Sequence, residues 1–189
     1  MTKKIRAFYA IELNDEVQNA ALHIIQQLKT FDWSEHVRWT PAENLHLTIR
    51  FLGDVTEEQL TQLNASIQSR LATIEPFSIM FKEPRLFPHF KKPRVVAAMI
   101  PYNDALQALA EILESSAVAA GLEPETRQYK GHLTLGRCNK SFPKRIKVES
   151  LPFSSKLMVT RVALFQSQLT SEGPTYIRLM ELPLHSDNV

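Results

Sequence analysis

The chain has 189 residues, with 22 basic and 20 acidic side chains, six histidines and 44% hydrophobic content. That is ordinary globular composition, long enough to bury a real core and too apolar for disorder. A single cysteine (Cys138) excludes an internal disulfide framework and a Cys-rich zinc site, five glycines exclude a glycine-rich phosphate loop, and a net charge of +2 gives no overall case for nucleic acid.

The N-terminus is basic through Arg6, but alternation rather than an unbroken apolar run follows, so no signal peptide is expected. No apolar run approaches the ~20 residues of a membrane helix. A soluble cytoplasmic protein is therefore expected.

Residues 5–13 alternate as a strand. Asn14 then offers a helix N-cap, and Val17, Ala21, Ile24, Ile25 and Leu28 follow at helical spacing. Thr40-Pro41-Ala42-Glu43 reads as a capping box that opens a short helical turn. Residues 45–51 form the cleanest strand pattern, with Leu45, Leu47, Ile49 and Phe51 on one face and His46, Thr48 and Arg50 on the other. Gly53-Asp54 is expected to end it. A second capping box, Thr56 to Gln59, opens a helix with Leu60, Leu63, Ile67 and Leu71 inward.

Strands are predicted at 77–82 and 94–100, joined by a proline-rich loop over 83–93. Asn103 opens a helix that buries Leu106, Leu109, Ala110 and Leu113 and ends near Gly121. Strands follow at 131–135, 156–166 and 176–182, the last two separated by a turn over 171–174. The pattern implies an α+β fold of antiparallel-rich sheets, with residues 1–189 forming one domain of two similar interleaved lobes.

Two tetrapeptides carry the chemistry: His46-Leu47-Thr48-Ile49 and His132-Leu133-Thr134-Leu135. Shuffling this composition gives one such motif roughly 0.01 times and a pair about 0.00004 times, so the pair is signal. On a strand, His and Thr of each copy project together while the apolar residues anchor the other face. Two imidazoles and two hydroxyls around one concavity suit a phosphodiester. One histidine acts as a general base toward water, the other as a general acid toward the departing oxygen, and the hydroxyls donate to the non-bridging oxygens. This logic needs no metal and no cofactor. A metal reading would have to draw on His46, His132 and His89, and no paired-ligand spacing supports it.

The stretch from Asn44 to Val55 resembles the first signature of the 2H phosphoesterases, and within them it is most similar to the bacterial and archaeal RNA 2′,3′-cyclic phosphodiesterases, also called 2′-5′ RNA ligases. Phe87-Pro88 with Lys92-Pro93-Arg94-Val95-Val96 is similar to that family's mid-chain pattern, and His132 to Arg137 to its second signature. Leu164 to Leu169 and Gly173 to Tyr176 are similar to its C-terminal pattern. One departure is Gly131, where the family commonly has proline; Gly131 and Gly136 bracket the second strand and would leave it less rigid.

The resemblance implies a bilobal, pseudo-two-fold fold with both motifs in a central cleft. It implies hydrolysis of a 2′,3′-cyclic phosphate to a 2′-phosphate, with His46 as acid and His132 as base, although the two motifs by themselves look alike. Reverse 2′-5′ ligation would use a 5′-hydroxyl in place of water. The family match suggests Arg137 as a substrate contact. Strict alternation would turn Arg137 away from His132 unless Gly136 introduces a bulge. Arg50, on the His46 face, is a second candidate contact. Phe8, Tyr9, Trp39, Phe51 and Tyr129 are candidates to stack a base.

Partners are then RNA ends or small cyclic nucleotides, bound by a monomer away from membranes. Rival readings are a phosphodiesterase on another cyclic phosphate, such as ADP-ribose 1″,2″-cyclic phosphate or a cyclic nucleotide, and a non-catalytic RNA-binding module. The near-neutral charge conceals an uneven distribution. Residues 82–94 carry five cations against one acid, and residues 126–147 carry seven cations and no acid. If both segments rim the cleft, they would guide a phosphate backbone into it.

Overall fold

A computed structural model describes residues 4–89, 91–143, 146, 151–171 and 173–185. The first strand, β1 (Lys4–Glu12), leads into helix α1 (Asp15–Leu28), whose N-cap Asn14 side chain accepts from the Val17 amide. Short strand β2 (Val37–Trp39) follows, and β3 (His46–Thr56) carries the first motif. Helix α2 (Glu57–Leu71) starts at the capping box read from sequence, with reciprocal Thr56 and Gln59 bonds. Strands β4 (Phe77–Phe87) and β5 (Val95–Met99) precede helix α3 (Asp104–Ala119). The second motif lies on β6 (His132–Cys138), and β7 (Ser155–Val159), β8 (Arg161–Thr170) and β9 (Gly173–Pro183) complete the chain.

The strands form two antiparallel sheets, ordered β3-β1-β8-β9 and β2-β6-β5-β4-β7. Each sheet holds one motif strand. The apolar faces of both sheets and the inward stripes of all three helices meet in one core, which includes Leu47 and Ile49 from the first motif and Leu133 and Leu135 from the second. Burying one such side chain stabilises by about 1.5–3 kcal/mol, so the motif leucines pin their strands while His and Thr face outward.

Several boundaries differ from the sequence reading, each for a physical reason. Thr40 caps nothing; the turn Ala42–Asn44 follows Pro41 with no side-chain cap, and the Thr40 amide instead bonds the Leu135 carbonyl. β3 does not end at Gly53, because Gly53 adopts a φ of 72° that only glycine takes easily and pairing continues to Thr56. β4 runs into the expected loop because Pro84, which cannot donate, sits beside an irregularity that leaves Glu83 outside the ladder. The strand expected at 156–166 is two strands in different sheets. Its alternation slips between Val159 and Val162, both buried, with Thr160 and Arg161 exposed between them. Short β2 has no sequence signal beyond three residues.

α3 ends as expected at Gly121, where φ is 80° and the Leu122 and Gly121 amides bond the Ala117 and Val118 carbonyls at 3.0 and 2.9 Å. Gly131 and Gly136 do not loosen the second strand. A Cβ on Gly131 would lie 2.9 Å from Leu106 Cδ2, and one on Gly136 only 2.5 Å from Val37 Cγ1 and 3.0 Å from Trp39. They are sites of close packing. Gly136→Ala is therefore expected to destabilise the protein by about 1–3 kcal/mol in denaturant unfolding, by forcing β2 from β6. An unchanged midpoint would show that β2 yields freely.

Candidate active site

The ladders decide which side chains share a face, because cross-strand partners point the same way. On β3, His46 pairs with Glu12 and Thr48 with Ala10, then Arg50 with Tyr9 and Phe51 with Phe8. Ile49 is thus an extra residue. On β6, His132 pairs with Met99 and Thr134 with Ala97, then Gly136 with Val96 and Arg137 with Val95. Leu135 is thus the extra residue there. Each bulge falls three residues after the histidine. Each therefore brings the fifth residue after the histidine, Phe51 or Arg137, onto the His-Thr face.

This geometry corrects one expectation and resolves another. Arg50 does not share the face of His46. It turns to the Tyr9 side, pairs with Glu114 of α3 and donates to the Glu123 carbonyl at 2.6 Å. Arg137, which strict alternation turns away, stands on the face of His132 and Thr134. Its charge reaches both imidazoles and lowers the pKa of each.

The two histidines are held alike. His46 Nδ1 donates to the Asn44 carbonyl and His132 Nδ1 to the Lys130 carbonyl, both at 2.8 Å. A carbonyl can only accept, so the Nδ1 proton is fixed and Nε2 is left as the exchangeable atom. Thr48 Oγ1 lies 3.0 Å from His46 Nε2 and donates to the neutral ring. Asn44 itself is tied by its side-chain amide to the Pro174 carbonyl at 2.9 Å, and the Tyr129 hydroxyl donates to the Thr48 carbonyl at 3.2 Å. The second bond joins the approach to one motif with the strand of the other.

Aromatic walls explain the electrostatics. His46 sits 5.0 Å from Phe8 and 5.0 Å from Tyr176, with Phe165 at 6.3 Å. Phe87 stacks on His132 at 4.5 Å. Burial pushes His46 down to about 4; its backbone bond to Asn44 opposes this, and Arg137 adds to it. Burial likewise lowers His132, with the Lys130 bond opposing and Arg137 reinforcing. Both rings are therefore neutral at neutral pH before an anion arrives.

Phe165 and Tyr176 fall within the stretches singled out by resemblance, and Phe87 within another, but nothing in their spacing announced imidazole contact. Of the candidate stacking residues, Phe8 and Tyr9 are buried, Trp39 packs over Gly136, and Tyr129 is mostly enclosed. Phe51 is 55% exposed and on the motif face. His89 is exposed on the segment after β4, and the described residues hold no group of three metal-ligating side chains. Among them, no helix is long and apolar enough to cross a membrane. Of the basic residues counted in sequence, Lys144, Arg145 and Lys147 lie outside the described residues.

Comparison with known proteins places the chain in a family. The family model described as LigT like Phosphoesterase matches residues 11–97 and 99–176. A Methanothermobacter thermautotrophicus protein named RNA 2′,3′-cyclic phosphodiesterase is 32% identical over 92% of this chain and 95% of its own. A Bacillus subtilis protein of the same name is 32% identical over 78% and 80%. Among solved structures, Escherichia coli LigT complexed with 3′-AMP superposes with a TM-score of 0.83 at 25% identity, covering 97% of this chain and 100% of that one. A Thermus thermophilus structure gives 0.82 at 29% identity with the same coverage. With both motif strands inside the matched residues and nearly the whole chain aligned, this protein belongs to the LigT-like phosphoesterase family.

Proposed function

We propose that the protein hydrolyses the 2′,3′-cyclic phosphate at the end of an RNA to a 2′-phosphate, without a metal ion. The observation that carries this reading is the matched pair of imidazoles, each with its Nδ1 proton committed to a carbonyl and its Nε2 left for proton transfer. It is supported by the names of the relatives.

Water attacks phosphorus as its proton passes to His132 Nε2. The bond from phosphorus to the 3′-oxygen breaks, and that oxygen takes a proton from His46 Nε2. Thr48, Thr134 and Arg137 donate to the non-bridging oxygens, where negative charge grows. The phosphate's own charge favours the charged form of His46 and raises its pKa from the depressed value, in the direction an acid needs. Phe51 offers an exposed ring face to the terminal base. With a 5′-hydroxyl replacing water as the nucleophile, the same groups in the same roles join two ends through a 2′-5′ linkage: the base takes the 5′-hydroxyl proton, the bond from phosphorus to the 3′-oxygen breaks, and that oxygen takes the acid's proton.

Purified protein in excess EDTA is expected to turn over an oligonucleotide with a 2′,3′-cyclic end. Turnover abolished by EDTA would overturn the metal-free mechanism. Tight binding without turnover would instead make the cleft a non-catalytic RNA module.

A further inference from the structure

The five strands of the second sheet carry five cations, Arg38, Lys82, Arg85, Arg137 and Lys156, and one acid, Glu83. Register puts all five cations on the single face that holds His132. Arg38 opposes Arg137; Arg85 opposes Ala97, which opposes Thr134; Lys82 opposes Met99, which opposes His132. Lys156 opposes Met80, two residues before Lys82. Between these long side chains Val95 and Ala97 are buried yet lie outside the main core, so the side chains of this face cover β5 between β6 and β4.

Pairing separates this face from its counterpart. On the motif face of the first sheet, Arg178 bonds Glu12 and Glu181 at 3.2 Å, and Arg161 bonds Glu181 at 3.4 Å. Those guanidiniums are already neutralised. None of the five cations of the second sheet enters an ion pair among the described residues. One strand, β5, separates β6 from β4, and the two spacings amount to roughly 10 Å, so Lys82 and Arg85 are rooted beyond a phosphate held between the two histidines. They need a second anion.

From this placement we infer that the RNA chain 5′ of the cyclic phosphate runs across β5 and β4 toward β7, with Lys82, Arg85 and Lys156 holding its phosphates, so that the enzyme selects oligonucleotides over cyclic mononucleotides. The inference rests on the activity proposed above. Its test compares kcat/KM for a short oligonucleotide and for a mononucleotide, both ending in a 2′,3′-cyclic phosphate.

In the Lys82→Ala, Arg85→Ala, Lys156→Ala triple variant, the oligonucleotide-to-mononucleotide ratio is expected to fall about ten-fold, since each lost phosphate contact weakens only the longer substrate. Arg161→Ala is expected to leave both values as they were. In the wild type, salt is expected to depress the oligonucleotide value more steeply than the mononucleotide value, a readout that needs no variant to fold. A ratio unmoved by the triple substitution, or equal salt slopes, overturns the inference while leaving the chemistry standing. Failure of the wild type on both substrates overturns the chemistry itself.

Discussion

His46→Asn and His132→Asn are each expected to lower kcat by about 10²–10⁴-fold, the usual contribution of a positioned general acid or base. The double substitution is expected to cost little more than either single one, because the two imidazoles act as a unit on one phosphorus. Their roles separate by leaving group. A diester whose leaving oxygen is already a good leaving group needs little protonation, so it should recover much of the activity lost in His46→Asn. It should recover almost none of that lost in His132→Asn, which lacks the base. Equal recovery in both would undo the assignment. Circular dichroism checks that each variant folds, which is expected because the motif leucines, not the histidines, anchor both strands in the core.

Arg137→Met is expected to lower kcat/KM by about 10²-fold, the scale for removing one preorganised donor to a charged transition state. It should also move the pH profile. Arg137 lowers the pKa of both histidines, so removing its charge raises both. The acid limb reports the imidazole that must be neutral, and the alkaline limb the one that must be charged. Both limbs should therefore shift to higher pH. Loss of activity with unmoved limbs would place Arg137 away from the imidazoles. Arg50→Met has no such expectation, since that guanidinium is committed to Glu114 and the Glu123 carbonyl.

The contrast between these arginines shows what the sequence carries. The helices were legible because their signals are local: Asn14, Thr56 and Asn103 all cap as read. The motif strands were legible because Leu47, Ile49, Leu133 and Leu135 mark the buried face. The arginines were not, because strict alternation assumes no bulge. Alternation puts Arg50 on the motif face and Arg137 off it, and one extra residue in each strand reverses both. A bulge is a property of two paired strands, and the partner's register is not written in either one alone. Gly136 was a local hint for the second bulge. Ile49 gave none for the first.

The cationic segments were legible as counts and not as a surface. Arg127 proves to be spent on Glu125, bonding it at 3.1 Å, whereas Lys82 and Arg85 stand on the His132 face because of where Glu83 leaves the ladder. Exposed Arg38 joins them across a strand too short to predict. The aromatic walls around the histidines were hidden for the same reason, since Phe165 and Tyr176 lie more than a hundred residues from His46 and meet it only through sheet order.

Two matched imidazoles are expected to open a cyclic phosphate with the 3′-oxygen as leaving group. Phosphorus NMR of the product formed from a 2′,3′-cyclic-phosphate RNA end in excess EDTA tests it directly. The wild type is expected to give a 2′-phosphate alone, and a variant lacking either histidine to leave the cyclic phosphate intact. A 3′-phosphate product, or full conversion by either histidine variant, would contradict it.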